Sequence, residues 1–224
     1  GVANKYAARI EADLGVRVEV HDLWGGGLPL LNVLESLRGE RSLRTWLSGT
    51  VDLVPFIEDA EIIVVFGNPT RSDTTDHPFD MNCALSLGGN PACRESTACG
   101  PETWTQYEAD FAAVFDEIFA IRGGNSVVLR TKDMYLPWGP LESWRECGHE
   151  QVCKTCFANM SDAIHRVAND YGVPVADHLN TFSGPDLDQD MPREYIKDDV
   201  HPSDEGAAAL ADVLANLGYE PVTP

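Results

Sequence analysis

Four segments of this chain carry strand-like sequence, and a stretch with helical spacing follows each of them. The segments are "VRVEVHDL" (16–23), "AEIIVVFGN" (60–68), "SVVLRT" (126–131) and "VPVADHL" (173–179). The helical stretches begin at "LPLLNVLESL", "WTQYEADFAAVFDEIFAIRGG", "CFANMSDAIHRVANDYG" and "PSDEGAAALADVLANLG", and "ANKYAARIEADL" adds one more before the first strand. This alternation limits the fold more than any other feature. A strand that returns to its sheet in the same direction needs a long crossover, and a helix normally supplies it. The expected fold class is α/β, with a parallel sheet and helices on both faces. No internal repeat interrupts the pattern. Ligands of such sheets gather where the strands end at their carboxyl side.

The length of 224 residues suits a single domain, 1–224, and 43% of the residues are apolar, enough for a true core. No apolar run approaches the roughly 18 residues of a membrane span. With 36 acidic against 16 basic residues, the net charge is −20. That surface repels phosphate backbones, which argues against nucleic acid and anionic membranes as partners.

Two irregular, cysteine-bearing excursions break the alternation, at about 71–103 and 135–156. They hold Cys83, Cys93, Cys99, Cys147, Cys153 and Cys156. An even count clustered in loops points to disulfides and an oxidising compartment, with the pairing left open. The competing reading is zinc, since "CGHEQVCKTC" offers Cys147, His149, Cys153 and Cys156 within ten residues.

Three features fall just after strands. "WGGG" (24–27) follows the first, Asn68 the second, and "IKDDVHPSDEG" precedes the last helix with Asp198 three residues before His201. A carboxylate can hold an imidazole in one tautomer, so that it serves as a general base for a serine or cysteine. The plainer reading is local: Asp and His are common in turns, Pro202 suits a helix start, and Ser203 can cap it. Glycine N–H groups and an Asn amide placed after strands can stabilise an oxyanion, though both also make ordinary turns.

Taken together, "DDVHPSDEGAAALADVL", "FGNPT" and "WGGGLPLLNVLESL" resemble blocks of the GDSL/SGNH hydrolase family of esterases and lipases. The resemblance implies a three-layer, flavodoxin-like sandwich. It implies a triad histidine at His201 oriented by Asp198, an oxyanion amide at Asn68 and a backbone donor at Gly27, with Gly26 and Asp199 as the neighbouring alternatives. Phe66 and Pro69 depart from the family's third block. The family's Gly-Asp-Ser block belongs before the first helix. "GVANKYAARIEADLG" resembles the tail of that block, so the serine is expected ahead of Gly1. Ser36, Ser42, Ser48, Ser126 and Ser203 do not stand in its place.

The expectation is therefore a secreted, monomeric serine esterase or lipase without a cofactor or catalytic metal. Its substrate would be a small-molecule, lipid or acetylated-sugar ester, and this chain as it stands would be inactive. The alternative readings are a carbohydrate- or lipid-binding module on the same fold, and a zinc-stabilised interaction surface. His21, His77, His149, His165 and His178 are read as surface or structural. Thiol counting on unfolded, unreduced protein checks the disulfides. No free thiol is expected, and four or more would point to zinc or a reducing compartment.

Overall fold

The computed structural model of the chain describes residues 1–23, 28–45, 49–66, 101–135, 150–198 and 201–223, with the side chains of 101–103, 150–153 and 156 outside that set. Three described strands, β3 (Ile62–Val65), β4 (Val128–Lys132) and β5 (Val175–Ala176), form a parallel sheet in the order β3-β4-β5. Ile62 stands beside Val128 and Val65 beside Thr131, while Thr131 and Lys132 stand beside Val175 and Ala176. Before them come α1 (Val2–Leu14), α2 (Leu30–Leu37), an antiparallel hairpin of β1 (Leu43–Thr45) and β2 (Gly49–Val51), and α3 (Val54–Asp59). The crossovers are α4 (Pro101–Ile121) and α5 (Glu150–Asp170). After β5 come α6 (His178–Ser183), a 3-10 turn (Arg193–Tyr195) and α7 (Asp204–Ala215).

The period-two alternation of strands sorts side chains onto two faces. Ile63, Val65 and Leu129 join Phe111, Phe115 and Ile118 of α4 and Phe157, Met160 and Ile164 of α5 in one core, which also takes Leu30, Leu34 and Leu37 of α2. On the opposite face Ala176 packs with Tyr6 and Ile10 of α1 and with Ala211 and Leu214 of α7. Helices thus cover both faces of the parallel sheet, as the alternation of segments requires. The main core contains a run of rings along α4, with Phe111 and Phe115 centroids 4.7 Å apart.

Boundaries follow local chemistry. Gly15 closes α1 in the left-handed conformation at φ 68°, where a residue without Cβ meets no steric penalty. Pro29 precedes α2 as its cap residue, and Ser203 caps α7 by accepting from Gly206 N.

Four expectations need correction. Residues 16–23 form no strand, and no described strand pairs with them. Val18 N instead donates to Glu11 Oε1 at 2.9 Å, and the Val18 side chain leans on the α1–α7 cluster. A period-two pattern becomes a strand only where a neighbour completes its ladder. Next, "VPVADHL" yields just two strand residues before α6 begins at His178, because Asp177 caps a helix there by accepting from Asn180 N. α5 starts at Glu150, six residues before the expected Cys156, so the second excursion is shorter than its sequence suggested. The first excursion likewise ends by Pro101, where α4 begins. The hairpin and α3 were not anticipated.

Arg130 lies in the middle of β4 and is completely buried. Its guanidinium donates to the carbonyls of Leu129 (2.8 Å), Gly218 (2.8 Å) and Glu220 (3.0 Å), and burial lowers its pKa. The C-terminal tail is held alongside by a reciprocal pair between Val127 and Val222 (3.2 and 2.8 Å). Arg130→Met keeps the bulk and strands the two tail carbonyls, at a cost of roughly 2–4 kcal/mol. Urea unfolding of wild type and variant checks this, and Arg130→Lys should recover only part of the loss, because a point charge cannot reproduce the fork.

Candidate active site

Residues Arg193–Asp198 and His201–Ser203 lie against each other so that Asp198 meets His201. The 3-10 turn ends at Tyr195, Ile196 then bridges Pro202, and Lys197 N donates to His201 O at 3.0 Å. This small loop presents the Asp198 carboxylate to its own closing residue. His201 N donates to Asp198 Oδ1 at 2.8 Å, and His201 Nδ1 lies 3.0 Å from both Asp198 oxygens. The carboxylate therefore fixes the loop and the ring at once. With Nδ1–H directed to Asp198, the ring is set to expose its basic lone pair at Nε2. Both side chains are more than half exposed, 58% for His201 and 51% for Asp198. Their attraction thus adds little to stability, and its consequence is orientation.

The loop rests on α7. Ser203 N donates to Tyr195 O at 2.8 Å, and Ser203 Oγ donates to Glu194 O while accepting from Gly206 N. A Cβ at Gly206 would lie 2.0 Å from Tyr195 O. Only a glycine lets the first turn of α7 approach the 3-10 turn this closely.

Beneath lies the carboxyl edge of the sheet. Asp133, just past β4, is fully buried. Its Oδ1 accepts from His178 N (2.6 Å) and Leu179 N (3.1 Å), and its Oδ2 from Ser161 Oγ (2.7 Å). Those bonds fix α6 against β4 and α5. From α6 a chain of rings runs to the loop: His178 to Phe182 at 6.2 Å, then Phe182 edge-on to Tyr195 at 6.0 Å. Tyr135, three residues beyond β4, has its pKa pushed up to about 12, first by burial and then by the negative charge of Asp198. The Asp198 loop and the end of β4 are thus electrostatically in touch. The ammonium of Lys132, the last residue of β4, sits 3.7 Å from the centroid of the Phe66 ring at the end of β3. Burial lowers its pKa to about 8 against the opposing pull of Asp133.

Asp198 and His201 are brought into contact. Gly26, Gly27, Asn68 and Asp199 lie outside the described residues, as do His77, His149, Cys83, Cys93, Cys99 and Cys147 and the side chains of Cys153 and Cys156. Ser203 is committed to its cap. His21 is exposed beside Glu19 and Phe56. His178 is structural and His165 stands against Asp133, where that contact raises its pKa. Sequence reading missed Asp133, Gly206 and the aromatic bridge. A carboxylate directly after a strand was the one available signal for Asp133.

The fold is similar to that of the lipase Lip_vut3 from goat rumen metagenome. The match covers 98% of this chain and 88% of the lipase at 18% identity, with a TM-score of 0.69. It is also similar to an acetyl xylan esterase, AlAXEase, over 95% of this chain and 90% of that one, at 13% identity and a TM-score of 0.53. No protein-family profile and no curated protein matches the sequence. At these identities the likeness establishes a shared α/β fold.

His178 generates a pH prediction. It is 1% exposed, and its Nε2 lies 3.1 Å from Leu210 O. Burial, helped by the charge of Lys132, lowers its pKa to about 3. A carbonyl only accepts, so the neutral ring donates from Nε2. Above about pH 6.5 the ring is neutral folded and unfolded alike. Below that, the unfolded chain binds a proton that the fold refuses, so stability falls as pH drops from 6.5 toward 3. Between pH 6.5 and 5, wild type should lose roughly 1.5 kcal/mol more than His178→Gln, whose amide can still donate to Leu210 O. Denaturant melts of both proteins at the two pH values give the difference.

Proposed function

We propose that this chain carries the acid–base half and the oxyanion hole of a serine ester hydrolase of the GDSL/SGNH type. The observation that carries the reading is the Asp198–His201 contact, held on a short loop immediately before the last helix. The likeness in fold to a lipase and an acetyl xylan esterase supports the reaction class, as do the sequence blocks around His201, Asn68 and Gly27. In this reading His201 Nε2 takes the proton of a serine as its oxygen attacks the ester carbonyl. The same ring then returns the proton to the leaving alcohol. Asp198 holds Nδ1–H and stabilises the imidazolium. Gly27 N–H and the Asn68 amide take the developing oxyanion. The serine belongs to the family's Gly-Asp-Ser block, which this reading places ahead of Gly1. The substrate class is a carboxylic ester, either a small-molecule ester or that of a lipid or acetylated sugar. A secreted, monomeric protein with three disulfides completes the proposal.

The test is a hydrolysis screen over acyl chain lengths, run on protein extended through the upstream serine. In that protein Asp198→Asn should lower kcat by about 10⁴-fold, as in triads left with the wrong tautomer. Asp199→Asn should lower it only several-fold. The 224-residue chain alone should show little turnover. Turnover of p-nitrophenyl acetate by this chain, abolished by His201→Ala, would put the nucleophile inside residues 1–224 and overturn the serine assignment. A crippling Asp199→Asn beside a mild Asp198→Asn would overturn the choice of orienting carboxylate.

A further inference from the structure

Asp133, His165 and Asp177 converge from the end of β4, the body of α5 and the end of β5. One donor atom from each lies within 4.8 Å of the other two. This cluster is separate from the Asp198–His201 pair, and the ester-hydrolase reading gives it no task. Asp133 is fully buried while His165 and Asp177 are half-buried. His165 Nε2 is shielded from solvent, sits 3.8 Å from Asp133 Oδ2 and makes no hydrogen bond among the described residues. An imidazole nitrogen turned inward toward two carboxylates, without a hydrogen bond of its own, has the makings of a metal ligand.

The surrounding contacts fit that role. Metal-binding carboxylates are normally oriented by hydrogen bonds from a surrounding layer of groups. Here His178 N, Leu179 N and Ser161 Oγ hold Asp133, and Asn180 holds Asp177 through its backbone N (2.9 Å) and its side-chain amide (2.9 Å). Two carboxylates this close, one of them buried, repel each other, and a divalent cation between them removes the repulsion. A groove of about 450 Å³ lined in part by Asp162, His165 and Arg166 opens beside the cluster and gives a path for an ion.

The geometry points to a zinc site made by Asp133, His165 and Asp177, with a fourth position left for water. One nitrogen and two oxygen donors suit zinc, whereas calcium and magnesium take oxygen. Tetrahedral zinc at about 2.1 Å from each donor spaces the donors by about 3.4 Å. The widest pair here must therefore close by up to about 1.4 Å when the ion binds. The bound ion would tie the ends of β4 and β5 to α5.

Equilibrium dialysis tests this, using the full chain stripped with EDTA and offered zinc chloride at about pH 8, since zinc competes with protons for its ligands. Wild type should bind one zinc with a dissociation constant of about 10 µM or tighter. His165→Ala, at a half-buried position, should lose that ion. Asp177→Asn, which keeps the α6 cap, should weaken it at least about tenfold. Cobalt substituted for zinc should give visible d–d bands without a thiolate-to-metal charge-transfer band. Absence of zinc binding would overturn the site and leave His165 as an ion-pair partner only. Undiminished binding in His165→Ala, or a thiolate band, would assign the metal to other residues and overturn it equally.

Discussion

The Asp133 carboxylate is the joint on which the carboxyl edge of the sheet depends. One fully buried side chain accepts from two backbone N–H groups at the start of α6 and from a serine on α5. A helix start has N–H groups without intrahelical partners, and a buried carboxylate needs donors. Each requirement meets the other here. The placement of α6 then determines where Phe182 lies, Phe182 supports Tyr195, and Tyr195 fixes the loop that carries His201. The histidine is exposed, yet its position is inherited from a buried group just past the end of β4.

The same sheet resolves an electrostatic difficulty. The chain is strongly acidic, at −20, and its buried charges are nonetheless partly cationic. Arg130 is wholly buried and spends its fork on backbone carbonyls of the C-terminal tail. Lys132 rests on an aromatic face at the end of the same strand. Adjacent positions on one strand point to opposite faces, so Arg130 serves the tail on one side while Leu129 beside it joins the core on the other. A purely apolar β4 would leave the tail carbonyls without these donors.

What the sequence made legible was whatever depends on neighbours a few residues away. The Asp198–His201 spacing, the Ser203 cap, the Gly15 stop and the helical faces of α4 and α7 all follow from short-range rules, and the alternation of segments implied a parallel sheet with helices on both sides. What stayed hidden depends on distant partners. Residues 16–23 have strand sequence without a described strand to pair with. "VPVADHL" was cut short by an Asp177 cap whose competition with the strand shows only once the chain is folded. Asp133 looks like any polar residue after a strand until α5 and α6 surround it. Gly206 reads as a minor weakness in a helix, and its reason lies on the far side of a turn.

That glycine has a consequence for how the loop can be exchanged. Tyr195 O occupies the space that any Cβ at position 206 needs, so the 3-10 turn and the first turn of α7 are shaped as a matched pair. A histidine loop transplanted from a related scaffold would not seat correctly if only its residues up to the helix cap were moved. The smallest unit that keeps the ring orientation runs from the 3-10 turn through Gly206, with the glycine travelling as part of the loop although it belongs to the helix.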